Sequence, residues 1–447
     1  MMLALFMTTS CSIMNDNPVT PPTPEKTTTT ITLDGTDYEA DVVATFKGEI
    51  GQEVSLTLGV YDDFDIYGVD FGDGNILTDT VCYQNGGLRD AEGMTRTDTK
   101  HTKATVFTGT VAGEGNITVY GVNKSDIWYL NCYGNAIPTS FDQEKLKNVV
   151  QATFSGANVE SVELPAMDKL TQFNFNNSPV KTLDVSKATA LTSLSVDNTT
   201  QSQYAPQLES IDLSKNTELT YLKIAGNTTN KGKLAAIDLS NNTKLANVYL
   251  QDNAIKTAVM PAGAALTFLN LQNNELETID LSVCASNKDV YLDNNKLKSA
   301  TLGTITKSCK LENNALTLAT MPAQPAGLSS SSKTKKFTYA PQAALVVNEN
   351  VTELDLTSQL TVAKGELGKD GSYSTWYENV ETSYSFVTAG GATLVEGTDY
   401  QVVEPGKFQF LKSQTEKVHA VMSNAAFPKF TGASAFVTTE FNVTVLK

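Results

Sequence analysis

The residue types best suited to chemistry are few in this chain and far apart. Its 447 residues include only two histidines, His101 and His419. A Ser or Cys nucleophile therefore has few histidines that could act as its general base. The sequence contains no H-E-x-x-H, phosphate-binding glycine loop or G-x-S-x-G stretch. The 49 Asp and Glu residues permit a carboxylate-pair glycosidase by residue type, but no spacing selects a pair. We therefore expect no catalytic residues and no cofactor.

Acidic side chains recur at one position in the middle of the chain, each two residues before a serine. They are Asp184, Asp212, Asp238 and Asp280. Stacked carboxylates could share a calcium ion, or each could cap a turn through its own side chain. The run Asp62-Asp63-Phe64-Asp65 could also ligate calcium, but no complete calcium-loop spacing follows it. We favour turn capping and expect no bound metal.

The cysteines indicate neither a metal site nor a redox motif. Cys82, Cys132, Cys284 and Cys309 have no C-x-x-C spacing. Cys132 and Cys309 take places that are usually apolar in the repeat described next. We expect them to be buried free thiols that pack as small hydrophobic side chains.

An apolar frame that ends in asparagine recurs through the middle of the chain. Residues 219–227, 245–253 and 266–274 all read L-x-x-L-x-L-x-x-N or a close variant. The fourth frame position falls at residues 130, 152, 173, 194, 222, 248, 269, 290 and 309, mostly at intervals of 21 or 22. The frame resembles that of leucine-rich repeats, which implies a solenoid of about nine short coils. The alternating I-D-L-S segments predict a second extended stretch per coil instead of a helix.

The frame asparagine has a structural interpretation. The chain must turn sharply after each strand, and a buried amide can satisfy both donors and acceptors of that turn. The predicted ladder consists of Asn135, Asn227, Asn253, Asn274, Asn295 and Asn314. Ser178 and Thr199 stand at two equivalent positions, where we expect looser turns. Insertions near residues 197–206 and 227–233 have the composition of solvated loops.

The third and fifth frame positions should point outward from the inner sheet of the solenoid. The candidate ligand-binding residues there are Tyr221, Lys223, Asn247, Tyr249, Phe268, Asn270, Asp289 and Tyr291. The four aromatic residues would line up on successive coils, which suits recognition of protein loops or sugar rings. Ordinary strand propensity also favours aromatic residues, so both explanations stay open.

Two β-rich modules flank the repeats, which we assign to residues 125–328. The first spans residues 31–124, with strands expected at 39–46, 53–60, 66–71, 104–110 and 115–122. Its Asp70-Phe71-Gly72-Asp73-Gly74 resembles the tight turn of polycystic-kidney-disease-type immunoglobulin-like domains. The second spans residues 337–447, with strands expected at 344–347, 353–356, 384–387, 401–403, 408–411, 418–422 and 436–445. The expected fold class is therefore mostly β, a solenoid between two immunoglobulin-like sandwiches.

The N-terminus has the pattern of an exported protein. A short apolar run precedes Thr8-Thr9-Ser10-Cys11, which resembles the lipobox of bacterial lipoproteins and implies lipidation of Cys11. Residues 1–11 would then be a signal peptide, and the Pro/Thr-rich residues 12–30 an extended tether. That family usually has Leu, Val or Ile where Thr8 stands, and a plain secreted protein is the alternative.

The net charge of the chain argues against one class of partner, nucleic acids. The net charge of −16 makes nucleic acid a poor ligand, because phosphate neutralisation is missing. The basic run at residues 333–336 follows four serines, and we interpret residues 329–336 as a solvated linker.

The order of modules resembles that of surface lipoproteins of Gram-negative gut-type bacteria. This resemblance implies an outer-membrane or cell-surface adhesion protein that binds an extracellular protein or glycan, with a lipid anchor as its only membrane contact. A structural spacer or assembly component is the alternative, and a glycan-active enzyme is the third.

Overall fold

The structure, a computed structural model, describes residues 28–60, 64–82, 105–122, 127–134, 136–141, 147–155, 160–197, 207–325, 327–367 and 373–445. In these ranges the chain forms strands and two short 3-10 turns, Thr357–Gln359 and Gly432–Ser434. Neither turn is long or apolar enough to cross a membrane. The expected fold class, a mostly β solenoid between two β-rich modules, is confirmed.

The N-terminal module consists of two sheets. Its strands are β1 (Thr28–Leu33), β2 (Thr36–Gly48), β3 (Glu53–Val60), β4 (Phe64–Asp70), β5 (Ile76–Cys82), β6 (Thr105–Thr110), β7 (Asn116–Gly121), β8 (Ile127–Tyr133) and β9 (Ala136–Phe141). One sheet has the order β1-β2-β7-β4-β5, and β9 also pairs with β2. The other contains β6, β3 and β8. All five expected strands lie within or overlap observed ones, while β1, β5 and β9 were not expected. β1 pairs with β2 from Thr28 onward, so residues 28–30, which we assigned to the tether, belong to the N-terminal module.

The boundary that we placed before residue 125 needs correction. β9 pairs antiparallel with the second half of β2, from Ala44 opposite Phe141 to Gly48 opposite Ala136. The chain therefore returns to the N-terminal module after the first repeat strand. Gly134, at φ 100°, lies between β8 and β9 in a conformation that favours glycine.

The Asp-Phe-Gly-Asp-Gly motif forms the turn between β4 and β5. Asp70 Oδ1 accepts hydrogen bonds from Gly72 N at 2.7 Å and Gly74 N at 3.1 Å. Gly72 has φ 97°, and a Cβ there would lie 2.5 Å from the carbonyl oxygen of Ala112. The motif therefore makes the tight turn that its sequence resemblance implied.

The central sheet begins inside the N-terminal module and continues through the solenoid. β3 pairs antiparallel with β8, with Leu56 opposite Cys132 and Leu58 opposite Leu130. Every later strand of this sheet is parallel to its predecessor, starting with β8 and β10. The N-terminal module thus covers the edge of the first coil, which an open solenoid would expose.

Each coil contributes a strand to the central sheet, and most add a short outer strand. In chain order these are β10 (Gln151–Ser155), β11 (Ser161–Glu163), β12 (Gln172–Asn176), β13 (Thr182–Asp184), β14 (Ser193–Asp197), β15 (Tyr221–Ala225), β16 (Ala236–Asp238), β17 (Asn247–Tyr249), β18 (Thr257–Val259), β19 (Ala265–Asn270), β20 (Thr278–Asp280), β21 (Ser286–Tyr291), β22 (Ser299–Thr301), β23 (Ile305–Lys310) and β24 (Lys336–Thr338). The outer strands pair as β11-β13, β16-β18 and β20-β22. The second half of the coil is therefore extended, as expected.

All nine expected strand positions lie in the central sheet, and β24 adds a tenth parallel strand. Phe337 pairs with Cys309, so it takes the fourth frame position. The structure corrects two boundaries here: Lys336 was assigned to a linker, and Phe337 to the C-terminal module. Ser329 N donates to Lys335 O at 2.9 Å, and Phe337 N donates to Ser329 O at 3.2 Å. Residues 329–336 therefore form a hydrogen-bonded loop.

The C-terminal module is also built from short sheets. Its strands are β25 (Asn350–Val351), β26 (Glu353–Asp355), β27 (Thr361–Leu367), β28 (Tyr373–Thr388), β29 (Tyr400–Glu404), β30 (Lys407–Phe410), β31 (Val418–Asn424), β32 (Phe436–Val437) and β33 (Asn442–Val443). They pair as β25-β33, β26-β30-β29 and β27-β28-β31-β32. The strand expected at 344–347 is only a single bridge, from Leu345 to Thr438. The strand expected at 436–445 divides into β32 and β33.

The C-terminal module packs against the tenth coil. The ring of Tyr339 lies 5.4 Å from that of Phe427 and 5.3 Å from that of Phe430. Its hydroxyl accepts a hydrogen bond from Lys429 N at 3.1 Å. Buried apolar side chains continue from the N-terminal module through the coils into this module as one core. The solenoid is therefore covered at both ends.

Candidate binding face of the repeat sheet

Alternation along each repeat strand separates the core from the inner face. In β15, Leu222 and Ile224 are fully buried, whereas Tyr221 and Lys223 are partly exposed. The parallel register carries this alternation from coil to coil. The third-position column contains Ser193, Tyr221, Asn247, Phe268, Asp289, Ser308 and Lys336. The fifth-position column contains Ser195, Lys223, Tyr249, Asn270, Tyr291, Lys310 and Thr338.

Four aromatic side chains on this face form an unbroken chain of ring contacts, which we call the aromatic row: Tyr221, Tyr249, Phe268 and Tyr291. Successive ring centres are 5.5, 4.9 and 5.1 Å apart. The residues come alternately from the third and fifth columns, so the row zigzags across the sheet instead of following one column. The structure therefore brings together all four aromatic residues that the sequence singled out.

The aromatic row is packed tightly enough to be partly rigid. The rings of Tyr249 and Phe268 are stacked with an interplanar angle of 30°. Aromatic pairs of this kind contribute about 0.5–1.5 kcal/mol each. Burial raises the pKa of Tyr221, and nearby Tyr249 and Asp197 raise it further. Its hydroxyl therefore stays protonated at neutral pH and can donate a hydrogen bond.

Two charged candidates have partners within the protein. Lys223 forms an ion pair with Asp197 on the preceding coil. Asp289 accepts a hydrogen bond from Ser308 Oγ at 2.5 Å and pairs with Lys307 Nζ at 2.9 Å. Each charge is therefore compensated before any ligand arrives.

The two amide candidates differ from each other. Asn270 Oδ1 accepts a hydrogen bond from Gln272 N at 3.0 Å. Asn247 is partly exposed, and its amide makes no hydrogen bond to the described part of the chain. Asn247 thus has the freer amide of the two for a ligand.

The frame asparagines hold the turns that position this face. Asn274 Nδ2 donates to Leu250 O at 2.9 Å and to Leu271 O at 3.0 Å, and its Oδ1 accepts from Ile255 N at 3.0 Å. Asn295 and Asn314 make the same three contacts one and two coils later. Both functions of each buried amide are satisfied, so neighbouring turns are locked together.

The start of the ladder departs from the expected pattern. Asn253 Nδ2 donates to Ile224 O at 2.8 Å, but its buried Oδ1 has no partner in the described part of the chain. Asn227 Oδ1 instead accepts hydrogen bonds from Thr229 N and Asn230 N, so it caps the insertion that follows it. Asn135 lies outside the described residues.

The frame often has a second asparagine directly before the ladder position, and the backbone conformation there explains it. Asp252, Asn273, Asn294 and Asn313 all have left-handed backbones, with φ from 55° to 59°. Asparagine and aspartate tolerate this conformation better than other non-glycine residues. The expected looser turn at Ser178 is wrong for the backbone, because Asn177 has φ 54° there as well. Thr199 lies outside the described residues.

The aspartate column caps turns. The Oδ1 atoms of Asp184, Asp212, Asp238 and Asp280 accept hydrogen bonds of 2.8 to 2.9 Å from the serine N–H two residues later. Hydrogen bonds with that serine lower the pKa of each carboxyl group. In the described ranges, no group of three or more His, Cys, Asp or Glu side chains is placed to hold a metal ion.

Sequence reasoning missed a second asparagine ladder at the opposite turn of the coil. Asn216 and Asn242 are fully buried. Asn242 Nδ2 donates to Leu213 O at 3.1 Å and to Asn216 O at 2.9 Å. Asn216 makes the equivalent contacts one coil earlier. The repeated S-x-N-T-x-L pattern at residues 214–219 and 240–245 was the available signal.

The thiols that the structure describes are buried. Cys132, Cys284 and Cys309 are free. Burial raises the pKa of Cys284 to about 11, and it raises the pKa values of Cys132 and Cys309 as well. Such thiols stay protonated and unreactive at neutral pH. Cys11 and His101 lie outside the described residues.

Comparisons with known proteins do not identify a family for this chain. No protein-family model matches the sequence, and no curated protein matches it. A solved structure to which the chain is similar is the functional domain of InlJ from Listeria monocytogenes, described as including a cysteine ladder. The identity is 13%, the match covers 68% of this chain and 69% of that chain, and the TM-score is 0.31.

Proposed function

We propose that this chain is a non-catalytic binding protein that recognises an extracellular protein or glycan through the inner face of its repeat sheet. The observation that carries the proposal is the aromatic row. Four partly exposed aromatic side chains in continuous contact, on four successive coils, form one contiguous apolar surface, and such exposed surfaces mark interaction sites.

The composition of the face also supports binding. Tyrosine offers a large contact area with few rotatable bonds and a polar hydroxyl at its edge, which is why it is enriched at interfaces. Asn247 lies between Tyr221 and Phe268 in the third column and provides an amide for a ligand. The proposed site therefore combines apolar edges, hydroxyls and one unengaged amide.

The cellular setting is part of the same proposal. We infer a lipid anchor at Cys11, an outer-membrane or cell-surface location, and a tether that starts at residue 12, ends before β1 at Thr28 and holds the modules away from the membrane. Secretion without an anchor is the alternative. Metabolic labelling with a radioactive fatty acid tests this assignment, because the label should be lost in Cys11→Ala and retained in Cys284→Ala.

The binding proposal is tested by removing the aromatic row. The variant Y221A/Y249A/F268A/Y291A should lose binding to the surface of host or neighbouring bacterial cells, measured with fluorescently labelled full chain. The control V259A/V283A removes exposed apolar side chains outside the inner strands, and it should bind like the wild type. Circular dichroism and thermal melting identify any loss of fold, and Tyr249→Ala alone provides a milder variant.

A structural spacer is the competing proposal. The continuous sheet and its covered ends would equally suit a stiff support between other components. A spacer predicts that removal of the aromatic row leaves every cell-binding and glycan-array signal unchanged. That result, obtained with a folded variant, would reject the inner face as a binding site.

A further inference from the structure

Each of the last three coils carries a lysine one residue before the third-column position of its inner strand. Asp289, Ser308 and Lys336 are register partners on β21, β23 and β24. A lysine precedes each of them in the sequence, namely Lys288, Lys307 and Lys335, and all three are exposed. We call Lys288, Lys307, Lys335 and Lys336 the lysine rim. Lys335 and Lys336, which looked like part of a linker in the sequence, thus lie at the edge of the inner face.

The lysine rim continues into the aromatic row. Lys310 occupies the fifth column directly beside Tyr291, and its Nζ lies 4.0 Å from the centre of that ring. Lys336 occupies the third column beside Ser308. The inner face therefore changes from aromatic to cationic between the eighth coil and the tenth.

These positive charges are largely uncompensated. Lys307 pairs with Asp289, but Lys288, Lys335 and Lys336 make no ion pair with the described part of the chain. Apart from Asp289, the acidic residues of these coils are Asp293 and Glu312, which follow the strands β21 and β23 and so lie at the opposite rim. In a chain of net charge −16, this rim is a local positive site that attracts anionic groups.

The ring geometry selects the kind of partner. Sugar rings bind aromatic side chains through an exposed ring face. In this row Tyr249 and Phe268 stack on each other, and Lys310 covers a face of Tyr291. One face of each of these three rings is therefore occupied within the protein, and protein side chains and backbone can pack against the ring edges and hydroxyls.

We propose that the inner face binds an acidic segment of a partner protein. Apolar side chains of the segment would pack on the aromatic row, and its carboxylates would lie over the lysine rim. This inference rests on the proposed function and adds the chemical class of the partner. It also sets a direction: the acidic part lies toward the tenth coil and the apolar part toward the fifth.

The test uses a phage-displayed library of random 12-residue peptides selected on immobilised full chain. Enriched peptides should be rich in Asp and Glu beside apolar residues. Their affinity should fall at least tenfold for K288E/K335E/K336E. The control K169E/K215E/K256E reverses three exposed lysines away from the rim and makes the same change in net charge, so it should bind as the wild type does. Added NaCl should weaken binding to the wild type more than to the rim variant.

The outcomes separate this inference from the proposed function. Peptides that need the aromatic row but ignore the rim reversal overturn the acidic partner and leave the binding face intact. Rim-dependent binding of heparin without any enriched peptide replaces the protein segment with an anionic polysaccharide. If neither peptides nor heparin bind, the inference fails, and the cell-binding assay alone then decides the proposed function.

Discussion

Gln342 takes in the tenth coil the place that Asn314 takes in the ninth. Gln342 Nε2 donates to Leu311 O at 2.7 Å and to Tyr339 O at 2.5 Å, while its Oε1 accepts from Leu316 N at 3.2 Å. Asn314 makes the same set of contacts to Leu292 O, Leu311 O and Leu297 N. A longer amide side chain thus continues the ladder across a coil whose fourth frame position, Phe337, follows Cys309 by 28 residues.

The ladder should contribute measurably to stability. In Asn274→Ala, Ile255 N loses its side-chain acceptor. Leu250 O and Leu271 O each lose one of two amide donors and keep the one from Asn253 or Asn295. Leaving one buried polar group unsatisfied costs about 1–3 kcal/mol, so we expect a loss of roughly 2 kcal/mol in the free energy of unfolding. Urea denaturation measures this loss. Asn247→Ala is the control, and equal stability of the two variants would contradict the assigned role.

The left-handed position makes a second prediction. Asn273 has φ 57° and donates through Nδ2 to Asp252 Oδ1 at 2.8 Å. Asn273→Gly and Asn273→Val both lose that hydrogen bond, but only valine is strained at this φ. We expect Asn273→Val to be less stable than Asn273→Gly by about 1–2 kcal/mol. Thermal melting compares them, and a more stable valine variant would disprove the conformational argument.

Acid should weaken the capped turns. The pKa values of Asp212 and Asp238 are lowered in the folded state, mainly by hydrogen bonds from Ser214 and Ser240. Their stabilising contribution is therefore fully present above the unfolded carboxyl pKa of about 3.9, and it is lost as pH falls through the lower folded value. In D212N/D238N the amides still cap but do not titrate. Denaturation from pH 5 to pH 2 should show a flatter pH dependence for this variant than for D34N/D37N.

The junction with the C-terminal module gives the fourth prediction. Tyr339→Ala removes a buried ring that contacts Phe427 and Phe430, at a cost of about 3–5 kcal/mol. Tyr339→Phe keeps the ring and removes the hydroxyl that accepts a hydrogen bond from Lys429 N, at a cost of about 1 kcal/mol. Limited proteolysis should release the C-terminal module from the alanine variant first. Equal protease resistance of both variants would show that the ring contacts do not hold the junction.

The sequence was sufficient for features that repeat. The recurrence of Leu222, Val248 and Leu269 at the fourth frame position predicted the nine inner strands, because alternation and period are local properties of a chain. It also selected the four residues of the aromatic row, since a parallel register preserves frame positions. The zigzag of that row depends on two columns lying side by side, and only the folded sheet shows it.

Features that depend on long-range pairing were missed. The frame does not predict that Phe337 pairs with Cys309, because Phe337 and Gln342 replace its usual residue types. β9 looked like the continuation of a coil, but its partner in β2 is about 90 residues earlier in the chain. The lysine rim was hidden for the same reason: residues 333–336 have the composition of a linker until β24 places them.

The direction of the ladder contacts has a consequence for synthesis. Every side chain from Asn274 to Gln342 bonds to its own coil or to the preceding coil. The chain is synthesised from its N-terminus, so each coil can pack on the sheet that starts at β8 as soon as it is complete. The ladder amide of that coil then forms its hydrogen bonds without residues that are synthesised later. The ladder residues therefore favour folding of the solenoid coil by coil, from the N-terminal module toward the C-terminus.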